Sequence, residues 1–129
     1  MSRQNISGTS PWEPRAGYSR AVRIGPHVWV AGTTATDEHG ELVGIGDAAA
    51  QTRQAFANVA RALESAGARL DQVVRTRLYV TRIEDAAAVA AAHGALFGNI
   101  RPASTLLAVS ALVAPEMLVE VEAEAYLGD

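Results

Sequence analysis

The chain has 129 residues, of which 49% are hydrophobic and 19% are charged, a composition typical of one globular domain. It contains neither cysteine nor lysine, which excludes disulfides, thiolate nucleophiles, Schiff-base lysines and P-loop lysines, and its net charge of −3 disfavours nucleic acid as a partner. No apolar run approaches the roughly 20 residues of a membrane span, and the polar N-terminus lacks a signal-peptide core, so we expect one cytoplasmic domain over residues 1–129.

The first third of the chain combines an irregular segment with two strands. Residues 1–16 contain glycine, serine and two prolines, and we expect them to form an irregular N-terminal arm. Strands are predicted over residues 18–24 and 27–34, on either side of a turn at Gly25-Pro26. Residues 37–46 contain three glycines, which indicates an exposed loop.

A long helix is predicted next, from Asp47 as its N-cap to Gly67 as its C-terminal stop. Its apolar stripe has helical spacing and consists of Phe56, Val59, Ala60 and Leu63. Residues 74–80 then alternate like a half-buried strand, with Val74, Leu78 and Val80 on one face.

A second helix over residues 84–97 and two strands over residues 103–112 and 118–127 complete the order β-β-α-β-α-β-β. This order predicts an α+β fold with a single sheet, of which two helices can cover only one face. Several strands carry apolar or uncharged residues on both faces, as residues 106–109 do, and an uncovered apolar face usually binds a partner. We therefore expect self-association, although the pattern does not give the number of subunits.

The last strand carries Glu120, Glu122 and Glu124 on one face, at every second residue. A solvated outer face accounts for part of this pattern, above all for Glu122 and Glu124. Three like charges in a column repel one another unless cations lie opposite, and Arg75 and Arg77 of the middle strand are the candidates. Glu120 lies nearest the start of the strand, where a carboxylate can act as a general base or hold a water molecule.

Other residues have both a structural and a functional interpretation. His93 lies on the apolar stripe of the second helix, where a packed, hydrogen-bonded role is the commoner one, and Tyr18 suits either the core or a site. Gly32, within a predicted strand, indicates a close approach to the backbone by a ligand or another chain. Residues 101–105 present an arginine beside two hydroxyls. The three histidines have no spacing that links them as metal ligands, so no metal site is expected.

Several short segments, taken in order, are informative as a set. They are Gly17-Tyr18-Ser19, Val30-Ala31-Gly32-Thr33, Ala50-Gln51-Thr52-Arg53-Gln54-Ala55, Asn58-Val59, Ala66-Gly67-Ala68, Val74-Arg75-Thr76, Tyr79-Val80, Pro102-Ala103 and Leu118-Val119-Glu120-Val121-Glu122-Ala123. This set resembles the RidA/YjgF (reactive intermediate deaminase) family over nearly the whole chain from residue 17. The resemblance implies a chorismate-mutase-like fold, a homotrimer whose strands form a central barrel, and ligand sites in three clefts between subunits.

The resemblance also implies an activity. Active members of the family hydrolyse enamines and imines, such as 2-aminoacrylate, to 2-keto acids and ammonia without a cofactor. It assigns the water-positioning glutamate to Glu120 and the cleft tyrosine to Tyr18. The arginine that binds the substrate carboxylate is replaced by Ser104, which supplies neither a charge nor a fork of donors. Ala31 and Ala90 stand where a serine and an asparagine are expected.

Two hypotheses follow from this altered site. In the first, the protein is a hydrolase or deaminase that acts on a small enamine, imine or related metabolite, with Glu120 as the catalytic residue. The expected substrate-binding residues are Tyr18, Thr33, His93, Arg101, Ser104 and Thr105. Arg101 replaces the lost arginine only if its side chain swings in from before Pro102.

In the second hypothesis the protein is a non-catalytic homotrimer that binds a small ligand, with a regulatory or chaperone-like role. Neither hypothesis requires a cofactor, a membrane or nucleic acid.

Overall fold

The computed structural model describes residues 2–128, and six strands in this range form a single mixed sheet. The strands are β1 (Arg3–Ile6), β2 (Ala21–Ile24), β3 (His27–Thr33), β4 (Val73–Val80), β5 (Ala103–Ala108) and β6 (Val119–Tyr126). Their order across the sheet is β1-β2-β3-β6-β4-β5, and β4 and β5 form the one parallel pair in the described chain. The helices are α1 (Trp12–Ala16), α2 (Ala48–Ser65) and α3 (Ala86–Phe97). The predicted α+β fold, with one sheet and two main helices, is confirmed.

The prediction of an irregular arm over residues 1–16 is wrong. β1 pairs antiparallel with β2 along the edge of the sheet, and α1 follows it. Glu13 of α1 is buried, and its carboxylate accepts a hydrogen bond from the Gly8 backbone N–H at 2.8 Å. Pairing with a strand further along the chain therefore orders a segment whose local composition indicates a loop.

The long helix α2 forms where the capping residues predict it. The Asp47 side chain accepts a hydrogen bond from the Ala50 backbone N–H at 3.0 Å, and Gly67 ends the helix region with a φ of 84°. Phe56, Val59 and Leu63 of the predicted stripe are buried against the sheet. No helix in residues 2–128 is long and apolar enough to cross a membrane.

Strand β4 differs from its prediction at one position. Leu78 and Val80 are buried as expected, but Val74 is 50% exposed and Val73 is buried in its place. The register between β4 and β6 shifts between Val73 and Arg75, and such a bulge moves the following side chains to the other face. The strand predicted over residues 103–112 is also shorter than expected, because β5 ends at Ala108.

The face of the sheet turned away from α2 and α3 is partly apolar and exposed. Trp29 of β3, Leu107 of β5 and Tyr126 of β6 are 42%, 45% and 48% exposed. The predicted partner of the carboxylate column is confirmed for Arg77, which lies 3.0 Å from Glu124 and 3.6 Å from Glu122. Arg75 lies opposite Glu124 in register, yet within residues 2–128 its Nε is buried without a hydrogen-bond partner.

Candidate functional site

Glu120 lies near the start of β6, opposite Tyr79 of β4, on the face turned away from α2 and α3. Its side chain lies directly over the backbone of Gly32 in β3. A methyl group added to Gly32 would overlap a carboxylate oxygen of Glu120 and would lie 3.1 Å from the carboxylate carbon. Within this chain the group that approaches the Gly32 backbone is the Glu120 side chain, which needs the space that glycine leaves.

The environment of Glu120 favours proton transfer. Burial raises the pKa of the Glu120 carboxyl, the neighbouring Glu122 raises it further, and Arg20 lowers it. A carboxylate with a raised pKa takes a proton more readily and, once protonated, can return it at a pH nearer to neutrality. The geometry and the electrostatics of Glu120 both suit a general base.

Arg20 is not among the predicted site residues, although it organises the surroundings of Glu120. Its guanidinium donates hydrogen bonds to the Gly32 carbonyl at 2.6 Å, to the Thr33 hydroxyl at 2.8 Å and to the Tyr18 hydroxyl at 3.3 Å. The Arg20 side chain is only 15% exposed and lies 3.6 Å from the Glu13 carboxylate. The sequence gives only one indication of this role, which is that Arg20 is a charged residue two positions after Tyr18.

The two predicted ligand-binding residues beside Arg20 differ in their freedom to contact a ligand. Thr33 is buried, and its hydroxyl donates to the Ala31 carbonyl at 2.8 Å while it accepts from Arg20. Tyr18 lies just before β2 rather than within it, and the residue is 39% exposed. Tyr18 therefore presents a surface to a ligand, whereas Thr33 holds the backbone around Gly32. We refer to Glu120, Gly32, Arg20, Tyr18 and Thr33 together as the Glu120 cluster.

A second cluster forms on the other face of the sheet. Ser104 of β5 lies beside Thr76 of β4 in parallel register, and their hydroxyl oxygens are 2.8 Å apart. The Thr76 hydroxyl also lies 2.8 Å from Nε2 of His93 in α3. We refer to Ser104, Thr76 and His93 as the Ser104 cluster; Thr76 is not among the predicted site residues, since a threonine in a strand carries no signal of its own.

His93 has the packed, hydrogen-bonded position that its place on the apolar stripe predicts. The centroid of its ring lies 5.6 Å from that of Phe56 and 4.6 Å from that of Phe97. Burial lowers the pKa of the His93 imidazole, which favours its uncharged form at neutral pH.

Arg101 and His93 border the same surface cavity, which has a volume of about 410 Å³. Its lining residues are His93, Gly94, Phe97, Gly98, Arg101 and Pro102. Arg101 has a φ of 55°, in the left-handed region that non-glycine residues rarely occupy, and its backbone N–H donates to the Phe97 carbonyl at 2.8 Å. Arg101 therefore ends the turn after α3 and lies on the helix side of the sheet.

Thr105 points away from the Ser104 cluster. It is exposed, it lies in register with Arg77, and β4 separates it from the strand that carries Glu120. The predicted site residues are thus divided within one chain: Glu120, Tyr18 and Thr33 lie in one cluster and Ser104 and His93 in the other, while Thr105 and Arg101 lie outside both. Among residues 2–128 no group of three or more histidines, aspartates or glutamates is arranged to hold a metal ion.

Comparisons with known proteins cover the elements that carry both clusters. The family model described as Endoribonuclease L-PSP matches residues 8–127. An uncharacterized protein of Streptomyces coelicolor is 41% identical over 125 residues, which are 97% of this chain and 92% of the relative. The 3-aminoacrylate deaminase RutC of Acinetobacter baylyi is 32% identical over 120 residues, 93% of each chain. The crystal structure of Rv2704 from Mycobacterium tuberculosis, a member of the YjgF/YER057c/UK114 family, is 50% identical with a TM-score of 0.87, and the match covers 97% of this chain and 99% of that one.

Proposed function

Because the chain belongs to the RidA/YjgF family, we propose that it is a hydrolase or deaminase that acts on a small enamine, imine or related metabolite. The observation that carries the proposal is the half-buried Glu120 carboxylate, which lies over Gly32 and has a raised pKa. The similarity to a 3-aminoacrylate deaminase supports the class of reaction.

In the proposed mechanism Glu120 orients and deprotonates the attacking water. The water oxygen forms a bond to the imine carbon, and one water proton passes to the Glu120 carboxylate. The C=N electron pair moves to nitrogen, which takes this proton from Glu120 and regenerates the carboxylate. Glu120 then takes the hydroxyl proton of the tetrahedral intermediate and passes it to the amino nitrogen, so that the C=O bond forms as the C–N bond breaks and ammonia leaves. The raised pKa of Glu120 supports both directions of transfer.

We propose that each site is completed by a second subunit of a homotrimer. The Glu120 and Ser104 clusters lie on opposite faces of the sheet, so a ligand that contacts both requires another chain. The exposed apolar side chains of Trp29, Leu107 and Tyr126 supply a surface for self-association. We propose that Tyr18 and Thr105 contact the substrate on the face that carries Glu120, and that His93, Arg101 and Ser104 contact it on the face covered by the helices. The buried Thr33, predicted as a substrate contact, instead holds the backbone at Gly32. A monomer in sedimentation equilibrium would contradict this part of the proposal.

A coupled assay tests the reaction. A serine or threonine dehydratase generates the enamine, and the release of keto acid and ammonia is followed with and without this protein. We expect wild type to accelerate release and Glu120→Gln to reduce that acceleration about 100-fold or more, because the amide cannot take a proton. Glu124→Gln, on the same strand face but paired with Arg77, is the matched control and retains activity. Equal rates for wild type and Glu120→Gln would exclude the mechanism.

Two other outcomes have distinct signatures. A ligand-binding trimer without catalysis gives ligand-induced thermal stabilisation without turnover, and Glu120→Gln does not alter that binding. Absence of activity in wild type together with a gain in Ser104→Arg would mean that the family's reaction has been lost. The family description also raises RNA as a substrate, but a net charge of −3 weighs against it because nucleic-acid affinity depends on cationic contacts.

A further inference from the structure

We propose that Ser104, Thr76 and His93 form a specificity site that binds an uncharged hydrogen-bonding group, such as a primary amide or the amino group of an enamine, in preference to a carboxylate. This inference rests on the proposed function and names the class of substrate that it would use. Its basis is the continuous line of hydrogen bonds from Ser104 at the surface, through the buried Thr76, to the half-buried His93.

Thr76 couples the two ends of this line because it has a single hydroxyl proton. Its oxygen lies 2.8 Å from both Ser104 Oγ and His93 Nε2, and it is fully buried. It can donate to only one neighbour, so the other neighbour must donate to it. When Thr76 donates to His93, Ser104 donates to Thr76 and presents lone pairs to a ligand. When Thr76 donates to Ser104, His93 must carry a proton on Nε2, and Ser104 donates its own proton to a ligand.

An uncharged His93 keeps both arrangements available. The neutral imidazole carries its proton on either nitrogen, so Ser104 can accept from an N–H group or donate to a carbonyl oxygen. An imidazolium always carries a proton on Nε2, which restricts Ser104 to the role of donor. A primary amide uses either arrangement. A carboxylate needs donors alone, and a single neutral hydroxyl is a poor substitute for a charged, two-pronged guanidinium.

The surroundings of His93 contain little charge. α2 presents Phe56 to the imidazole, α3 presents Phe97 and β4 presents Thr76. Arg101 is the one charged residue that lines the cavity beside His93 in the described chain, and no carboxylate in residues 2–128 forms an ion pair with this imidazole. Burial lowers the pKa of His93, in agreement with an uncharged cluster.

Arg101 is the alternative to the Ser104 cluster as the group that selects the ligand, because an exposed guanidinium attracts carboxylates. Ser104 does not line the cavity that Arg101 borders, and Thr76 and His93 connect the two regions. If Arg101 selects the ligand, carboxylates bind best and Arg101→Gln abolishes their binding. If the Ser104 cluster selects the ligand, Arg101→Gln leaves the preference for amides intact.

Crotonamide and crotonate form a matched pair of probes with nearly the same shape and different charge. Binding to the intact protein is followed by NMR titration at pH 7.5, without any turnover. We expect wild type to bind crotonamide at least about fivefold more tightly than crotonate. Thr76→Val, which keeps the shape and removes the hydroxyl, weakens crotonamide binding about fivefold, and Thr76→Ser restores it. Ser104→Arg reverses the preference.

Lower pH provides a second, independent readout. Protonation of His93 restricts Ser104 to the role of donor, so the preference for crotonamide over crotonate in wild type falls as the pH drops through the His93 titration, which burial places below the ordinary histidine pKa of 6.5. In Thr76→Val the line is broken and the preference no longer follows the His93 titration, which is observed directly through its ring resonances. Far-UV circular dichroism confirms that each variant is folded before its affinity is interpreted.

The possible failures are distinguishable. Tighter binding of crotonate by wild type, a loss of selectivity in Arg101→Gln, or no saturable binding of crotonamide would each overturn the specificity site. None of these results changes the expected loss of enamine hydrolysis in Glu120→Gln. The enamine that the dehydratase generates carries a carboxylate, so a wild type that selects amides accelerates its hydrolysis weakly and Ser104→Arg accelerates it more. The absence of acceleration in both proteins contradicts the proposed hydrolysis and leaves the specificity site standing.

Discussion

The two clusters are built from different kinds of interaction. In the Glu120 cluster, the Arg20 guanidinium lies among polar groups, and its hydrogen bonds hold the backbone around Gly32. In the Ser104 cluster, two hydroxyls and an imidazole connect by hydrogen bonds without an ion pair in the described chain. Charge is thus concentrated on the face turned away from α2 and α3, where water can still reach it.

This difference follows from burial. The face covered by the helices excludes water from Thr76. An unpaired charge there would destabilise the fold, whereas a hydroxyl whose hydrogen bonds are all made does not. On the open face, Glu120 is half-buried and Arg20 partly offsets the cost of its ionisation. The Glu120 cluster is therefore expected to respond to changes in charge, and the Ser104 cluster to changes in hydrogen-bond donors and acceptors.

Among the variants that distinguish the two clusters, Gly32→Ala is expected to have the largest effect, a loss of catalytic rate. The added methyl group displaces the Glu120 carboxylate, and misplacement of a catalytic group by about 1 Å lowers the rate by roughly 100-fold. Stability changes little, because the backbone of Gly32 is not in the left-handed region and the Glu120 side chain can turn away. The dehydratase-coupled rate and the urea midpoint are the measurements.

A double variant separates this explanation from a general disturbance of β3. If Gly32→Ala acts by displacing Glu120, the Gly32→Ala/Glu120→Gln protein is no slower than Glu120→Gln alone, since coupled positions are not additive. A further loss of rate in the double variant would show that Gly32 acts through something other than Glu120.

The next largest effect is expected from Arg20→Gln, through both stability and pH dependence. Loss of the charged donor to the Gly32 carbonyl and the Thr33 hydroxyl lowers the free energy of unfolding by about 1.5–3 kcal/mol. Because Arg20 lowers the pKa of Glu120, its removal raises that pKa further. Activity that needs the ionised carboxylate then falls away at a higher pH, so the acidic limb of the rate–pH profile moves upward.

Arg23→Gln is the matched control for Arg20. Arg23 donates to the Gly25 carbonyl at 3.0 Å and to the Ala66 carbonyl at 2.6 Å, so its removal also costs stability. It does not contribute to the pKa of Glu120. An equal displacement of the acidic limb in both variants would mean that the effect of Arg20 on Glu120 is not electrostatic.

The sequence predicts those parts of the molecule that depend on residues close together in the chain. Asp47 and Gly67 bound α2 because capping is a local property, and the buried residues of its stripe follow the helical period. Val74 is placed on the wrong face because a bulge in β4 is defined by its register with β6, which lies over forty residues away. The prediction for residues 1–16 is wrong for the same reason, because β1 forms by pairing with β2, a strand further along the chain.

The candidate site is predicted less completely than the fold. Glu120 is identifiable because it belongs to a column of carboxylates. Ser104 is singled out only through the family resemblance, which implies a carboxylate-binding arginine at its position. Arg20 and Thr76 have no such signal, because their roles depend on partners from other elements: a β3 carbonyl for Arg20, and a helix and a neighbouring strand for Thr76. The division of the site residues between two faces likewise emerges only from the register of β4, β5 and β6.

The smallest effect is expected in the pH dependence of stability. The pKa of Glu120 is raised in the folded protein, so its contribution to stability is fully present below the ordinary glutamate pKa of 4.5 and is lost as the pH rises through the folded value. Glu120→Gln removes this loss. The variant is therefore slightly more stable than wild type in urea at pH 7, and the difference vanishes below pH 4.5. Glu124→Gln gives up its contact with Arg77 and gains nothing at pH 7, so an equal gain in both variants would mean that general charge repulsion, rather than the burial of Glu120, sets the cost. If Glu120→Gln is more stable than wild type but inactive, the residue that catalysis needs lowers the stability of the folded protein. That loss of stability then arises in the Glu120 cluster and not in the Ser104 cluster.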